Sequence, residues 1–157
     1  MESSTGSIAV DNPMTLWHLT GNEVFLSKVD RALSRFGNRL GQLGRVVPMM
    51  MAALARYHAV PTQVVLVGLR GATDLKALER VVADHYLPFS VRVIVSPGEQ
   101  QEELGRRLPY VKSMQMVAGV ATAYVCTKFS CREPVTDPET LNEQLRQIKQ
   151  PNGATLV

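Results

Sequence analysis

The sequence predicts an α/β protein in which N-terminal α-helices precede a small three-stranded parallel β-sheet with crossover helices. Three observations predict it. Residues 22–40 carry apolar side chains at three- and four-residue steps, the period of an amphipathic helix. After residue 60, short β-branched runs alternate with helical patterns in the order strand, helix, strand, helix, strand, helix, which implies parallel strands joined by right-handed crossovers. The 157 residues are 45% apolar and 20% charged, enough for one ordinary domain with a core and too few for two large ones.

The elements follow in chain order. Ser7 to Leu19 is helix-compatible through Ile8, Met14, Leu16, Trp17 and Leu19, with Pro13 as its one blemish, and Thr20-Gly21-Asn22 supplies a stop and a new start. Asn22 caps a helix whose Phe25, Val29, Leu33, Phe36 and Leu40 form an apolar stripe, while Lys28, Arg31, Arg35 and Arg39 form a basic one. Gly37, Gly41 and Gly44 are expected to loosen the chain after it. Pro48 then opens a third helix to about Tyr57, with Met49, Met50, Met51, Leu54 and Tyr57 on its buried side.

Residues 63–68 read as a continuously apolar strand, buried on both faces and ended by Gly68. Thr73 is expected to cap the next helix, which carries Leu75, Leu78, Val82 and Tyr86 on one stripe. Residues 91–95 form the second strand, Glu99 to Leu108 a short polar helix, and Ala121 to Cys126 the third strand. Asp137 as cap and Pro138 at the first helical position open the last helix, with Leu141, Leu145 and Ile148 facing inward. The chain thus divides into a helical segment at 1–60, an α/β unit at 61–150 and a flexible tail at 151–157.

Composition excludes several classes. The longest apolar run, Val46 to Leu54 interrupted by Pro48, is far shorter than the roughly 18 residues of a membrane span. Met1-Glu2-Ser3-Ser4 lacks the basic and apolar regions of a secretory signal, so a cytoplasmic location is the expectation. Seventeen basic residues against 14 acidic give a net charge of only +3. The basic stripe on the second helix has no interleaved aromatics, so a solvated face accounts for it better than a nucleic-acid surface.

Candidate chemistry is sparse. Cys126 and Cys131 form a C-x4-C pair just past a strand, a spacing across which a turn could bring the sulfurs together. Thiols in a reducing cytosol are the simplest reading, with a redox pair or half of a metal site as alternatives; the three histidines show no ligand spacing to the cysteines, and no metal is expected. Gly68-Leu69-Arg70-Gly71 lies between a strand and a helix start, where a phosphate can meet free amides, but it matches neither dinucleotide nor P-loop patterns and reads first as a tight turn. No cofactor is expected. No nucleophile elbow and no catalytic carboxylate pair stands out.

Several stretches nevertheless form a pattern. These are Thr122-Ala123-Tyr124-Val125-Cys126, then Cys131, then Pro134-Val135-Thr136-Asp137-Pro138, together with Leu66-Val67-Gly68, Tyr86-Leu87-Pro88 and the Leu16 to Gly21 helix end. In this order they resemble the C-terminal part of the thioredoxin-domain-containing proteins of the YyaL and spermatogenesis-associated protein 20 type. The resemblance runs over about residues 3–147. It implies that residues 1–60 are the last hairpins of an α/α toroid similar to six-hairpin glycosidases, and that the thioredoxin-like domain lies outside this chain. It places Ser4, Ser7, Gly68, Tyr124, Asp137 and Pro138 at family-motif positions, although Ser3-Ser4-Thr5-Gly6-Ser7 stands where the family has "PSGNS". It also makes Cys126 and Cys131 redox candidates. The implied function is a C-terminal structural module without a complete active site, whose partner is the remainder of the toroid/thioredoxin protein or a second copy. The alternative is a redox-active or carbohydrate-directed enzyme subunit using the cysteine pair or the toroid cavity.

Overall fold

A computed structural model of the chain describes residues 5–43 and 48–148. Ser4 and the 151–157 tail lie outside the described residues. The chain divides into two compact units, residues 1–59 and 60–157.

The first unit is helical: α1 (Thr5–Thr20), α2 (Glu23–Leu43) and α3 (Pro48–His58). Gly21 takes a positive φ of 68° and its N–H donates to the Trp17 carbonyl, ending α1 with the left-handed residue that glycine adopts most cheaply. Asn22 then caps α2, its Oδ1 accepting from the Val24 N–H at 2.9 Å. α2 continues through Gly37 and Gly41, which were expected to loosen it. Val10, Met14, Val29 and Ala53 are buried together, with Trp17, Ala32, Leu33 and Tyr57 packed against them. Polar ties sit at the margin. Arg56 pairs with Asp11 at 2.7 Å, and the Tyr57 hydroxyl donates to Asp30 at 2.6 Å.

The second unit is α/β, and its sheet differs from the expected one. Four strands stand in the order β2-β1-β3-β4: β1 (Thr62–Val67), β2 (Ser90–Val95), β3 (Thr122–Thr127) and β4 (Ser130–Cys131). Only β1 and β2 are parallel, joined by the crossover helix α4 (Thr73–Asp84); β3 runs antiparallel to β1, with Val65 opposite Tyr124, and β4 antiparallel to β3. The β2–β3 connection begins and ends at the same end of the sheet, since Val95 and Thr122 both stand opposite Val67. It contains α5 (Glu99–Arg107), nine residues or about 14 Å long, shorter than the roughly 20 Å of a six-residue strand. Pro109 then turns the chain into a 3-10 helix, Pro109–Ser113, and a tight Val117–Val120 turn feeds β3 from the end at which β2 finished.

One face of the sheet carries the main core. Val64, Leu66, Ala123 and Val125 pack with Leu75, Leu78 and Val82 of α4 and with Leu141 and Leu145 of α6 (Pro138–Arg146). Side chains alternate along a strand, so Gln63, Val65, Val67, Thr122 and Cys126 point to the opposite face, where they are buried as well. That two-sided burial is why β1 reads as an unbroken apolar run. Tyr86 does not join the α4 stripe; it lies past the helix end and is 85% exposed. β2 stands at one edge of the sheet, with Arg92 and Ile94 exposed.

Candidate functional site

The Cys126–Cys131 pair sits at the opposite edge from β2. The two-residue strand β4 turns back from β3 through Lys128 and Phe129 alone, which sets Thr127 opposite Ser130 and Cys126 opposite Cys131. The sulfurs are bonded, with Cα atoms 3.8 Å apart, so the expectation of free thiols is corrected: the β3–β4 register sets the two cysteines directly opposite each other. The Arg132 N–H donates to the Val125 carbonyl at 2.9 Å and closes the ladder beyond the disulfide. Cys126 is 1% exposed, whereas Cys131 lies on the exposed edge strand.

The turn is unusual in its residues. A two-residue hairpin loop of the favoured kind holds both central residues at positive φ, and Asn-Gly is the sequence that does so most easily. Here Lys128 (φ 51°) and Phe129 (φ 62°) take that conformation. Left-handed backbone costs about 1–2 kcal/mol for each residue with a side chain. A bond closing so short a loop offsets about 2 kcal/mol of chain entropy. The Lys128 N–H also donates to the Pro61 carbonyl at 2.9 Å, anchoring the turn to the start of β1. From Thr127 to Arg132 there are two cations and no acid. The Arg132 guanidinium reaches α6, donating to the Gln144 carbonyl at 3.3 Å and to Gln147 Oε1 at 2.8 Å.

The other predicted positions are scattered. Tyr124, on β3, is held by Gln115: its hydroxyl donates to the Gln115 carbonyl at 2.7 Å and accepts from the Gln115 N–H at 3.0 Å. Asp137 caps α6, accepting from the Thr140 N–H and hydroxyl at 2.8 and 3.0 Å, and these contacts hold its carboxyl below the usual carboxylate range. Pro138 occupies the first turn of the same helix. Ser7 lies in the first turns of α1.

Gly68 is buried in the β1–α4 turn, where a Cβ would stand 3.0 Å from the Ala121 Cβ and 3.2 Å from Leu75. The cap of α4 is not Thr73, which is already helical, but Ala72, which contributes no side-chain bond. The work falls to Asp74, a residue the sequence reading passed over. Its Oδ1 accepts from the Leu75 N–H and its Oδ2 from the Ala121 N–H, both at 2.8 Å. The Ala121 and Leu75 amides lower its pKa, in that order of effect. This carboxylate occupies a donor at the helix start that a bound phosphate would need.

Three grooves of about 240, 270 and 220 Å3 lie elsewhere on the unit, the first between β2 and α4 and lined by Val64, Leu66, Glu79, Val82 and Ile94. Among the described residues, no group of three or more His, Cys, Asp and Glu side chains converges as a metal site requires. On α2, Lys28 and Arg31 are exposed, while the Arg35 and Arg39 side chains fall outside the described ones. No described helix is long and apolar enough to cross a membrane.

Comparison with known proteins agrees with the motif pattern. Spermatogenesis-associated protein 20 of Homo sapiens is 33% identical over 144 residues, covering 92% of this chain and 18% of the human protein. The proteins of the same name from Rattus norvegicus and Mus musculus are 32% and 31% identical over 146 residues, covering 93% of the chain and 18% of theirs. No family model and no solved structure matches. The chain is homologous to the C-terminal region of spermatogenesis-associated protein 20, and it spans less than a fifth of the length of these relatives.

Proposed function

We propose that this chain acts as a structural module of a larger protein, supplying folded surface to it without holding a complete active site. The observation that carries this reading is the homology itself: 92% of the chain aligns with 18% of a much longer relative. The placement of three motif residues supports it, because each has a structural task. Asp137 caps a helix, Tyr124 fixes the 115 loop, and Gly68 admits a close approach of Ala121 and Leu75. The partner in this reading is the remainder of a toroid and thioredoxin-like protein, with residues 1–60 completing the helical ring.

The test is reassembly. The purified 157-residue chain is mixed with human spermatogenesis-associated protein 20 lacking its matching region, and the mixture is analysed by sedimentation velocity and thermal unfolding. The expected result is a stoichiometric complex in which both parts melt higher than alone, since a partner that binds only the folded state stabilises it. Two independent species with unchanged melting would overturn the module reading.

A further inference from the structure

We propose that the β3–β4 hairpin is a thiol–disulfide exchange site whose substrate is an external dithiol, and that reduction there releases the hairpin tip, residues 128–131, from the sheet. Three observations meet at this place. The two cysteines are directly opposed and bonded, one buried and one exposed. The turn between them holds two side-chain-bearing residues at positive φ. Finally, β4 is only two residues long, and the backbone hydrogen bonds that hold the tip sit at its two ends, from the Lys128 N–H to the Pro61 carbonyl and from the Arg132 N–H to the Val125 carbonyl.

The exposure difference orders the chemistry. One thiolate of the dithiol attacks the Cys131 sulfur, the accessible one; the Cys126–Cys131 bond breaks, and the Cys126 sulfur leaves with the electron pair and takes a proton. The second thiolate of the dithiol then attacks its own sulfur in the mixed disulfide. It closes a new disulfide within the reagent and expels Cys131, which takes the second proton. The dithiol loses two electrons and the cysteine pair gains two electrons and two protons. Lys128 and Arg132 flank the exposed cysteine in sequence, with no acid between them.

Once the bond is gone, nothing covalent opposes relaxation of Lys128 and Phe129 out of the left-handed region, and the Lys128–Pro61 and Arg132–Val125 hydrogen bonds lose their clamp. The buried Cys126 stays with β3, whose pairing with β1 does not depend on the disulfide. Release is therefore local.

The experiment uses the full chain with dithiothreitol as the dithiol. Cysteine state is read by alkylation and mass spectrometry, and amide hydrogen exchange is compared between oxidised and reduced forms. Expected are reversible reduction of both cysteines together, exchange at least tenfold faster at the Lys128 and Arg132 amides on reduction, and unchanged exchange at Leu66 and Val125. In single-cysteine variants, the lone Cys131 of Cys126→Ser should alkylate at least tenfold faster than the lone Cys126 of Cys131→Ser. The double variant Lys128→Asn with Phe129→Gly, which suits the turn, should keep the tip protected even when reduced. A pair that dithiothreitol does not reduce would overturn the exchange site, and equal exchange in the two forms of the unaltered chain would overturn the release.

Discussion

At Gly68 the absence of a side chain is itself a packing element. An added Cβ would press against Ala121 and Leu75 at 3.0 and 3.2 Å, and both neighbours are buried, so neither has free space to yield into. Gly68→Ala is expected to destabilise the α/β unit by about 1–3 kcal/mol, the usual cost of overfilling a packed site, read as a lower urea midpoint at constant slope. Asp74 acts on the same junction from the other side, tying the start of α4 to Ala121. Its folded carboxyl titrates below the unfolded value, so its stabilisation is present above about pH 4 and is lost as pH falls through the lower folded value. Asp74→Asn should therefore weaken the protein at pH 7 and flatten the acid limb of its stability curve, measured as urea midpoints from neutral to acidic pH; an unchanged acid limb would count against this role. Residues were legible in unequal measure. Asp137 and Pro138 announce a helix start in the sequence, and they make one. Asp74 was missed because its partner, Ala121, is 47 positions away, and no local pattern encodes such a bond.

At the level of elements, periodicity located the helices and the central strand, but it carried no information on strand direction. β3 has the same apolar, β-branched character whether it pairs parallel or antiparallel. Its direction follows from a connection that returns to the end of the sheet where β2 finished, and the polar sequence of α5 gives no hint of where that helix docks. The β4 hairpin escaped notice for a related reason: Lys-Phe is not a turn signature, so only the spacing of the two cysteines marked it. α6 illustrates the opposite case. Leu141 and Leu145, one helical turn apart, are fully buried against the α4 side of the sheet. Leu141→Ala should cost about 2–5 kcal/mol, the range for a buried leucine that leaves a cavity, and should lower the thermal midpoint with little change in helical content. A loss below about 1 kcal/mol would mean that α6 repacks freely.

On the scale of the whole molecule, the division into two units is the main architectural fact. Among the described residues, the helical unit has a core around Met14 and Val29, and the α/β unit has a larger one beneath α4 and α6. A sheet of four strands in which one edge is a two-residue hairpin leaves the other edge, β2, as its long open side. That side reads Ser90-Val91-Arg92-Val93-Ile94-Val95, six residues of which five are β-branched or small and one is charged. An uncharged, β-branched hexapeptide on an open edge is the recipe for cross-β stacking between chains, and a central cation is one of the few devices that forbids it. Arg92 thus governs how concentrated this protein can become before copies add strand to strand. Arg92→Val should leave the melting temperature within a few degrees of the parent but shorten the lag before turbidity and dye-binding fibrils under mild heating, and an unchanged lag would show that the edge is shielded by something other than its charge. A single arginine at the rim of the sheet would then set the protein's shelf life in solution.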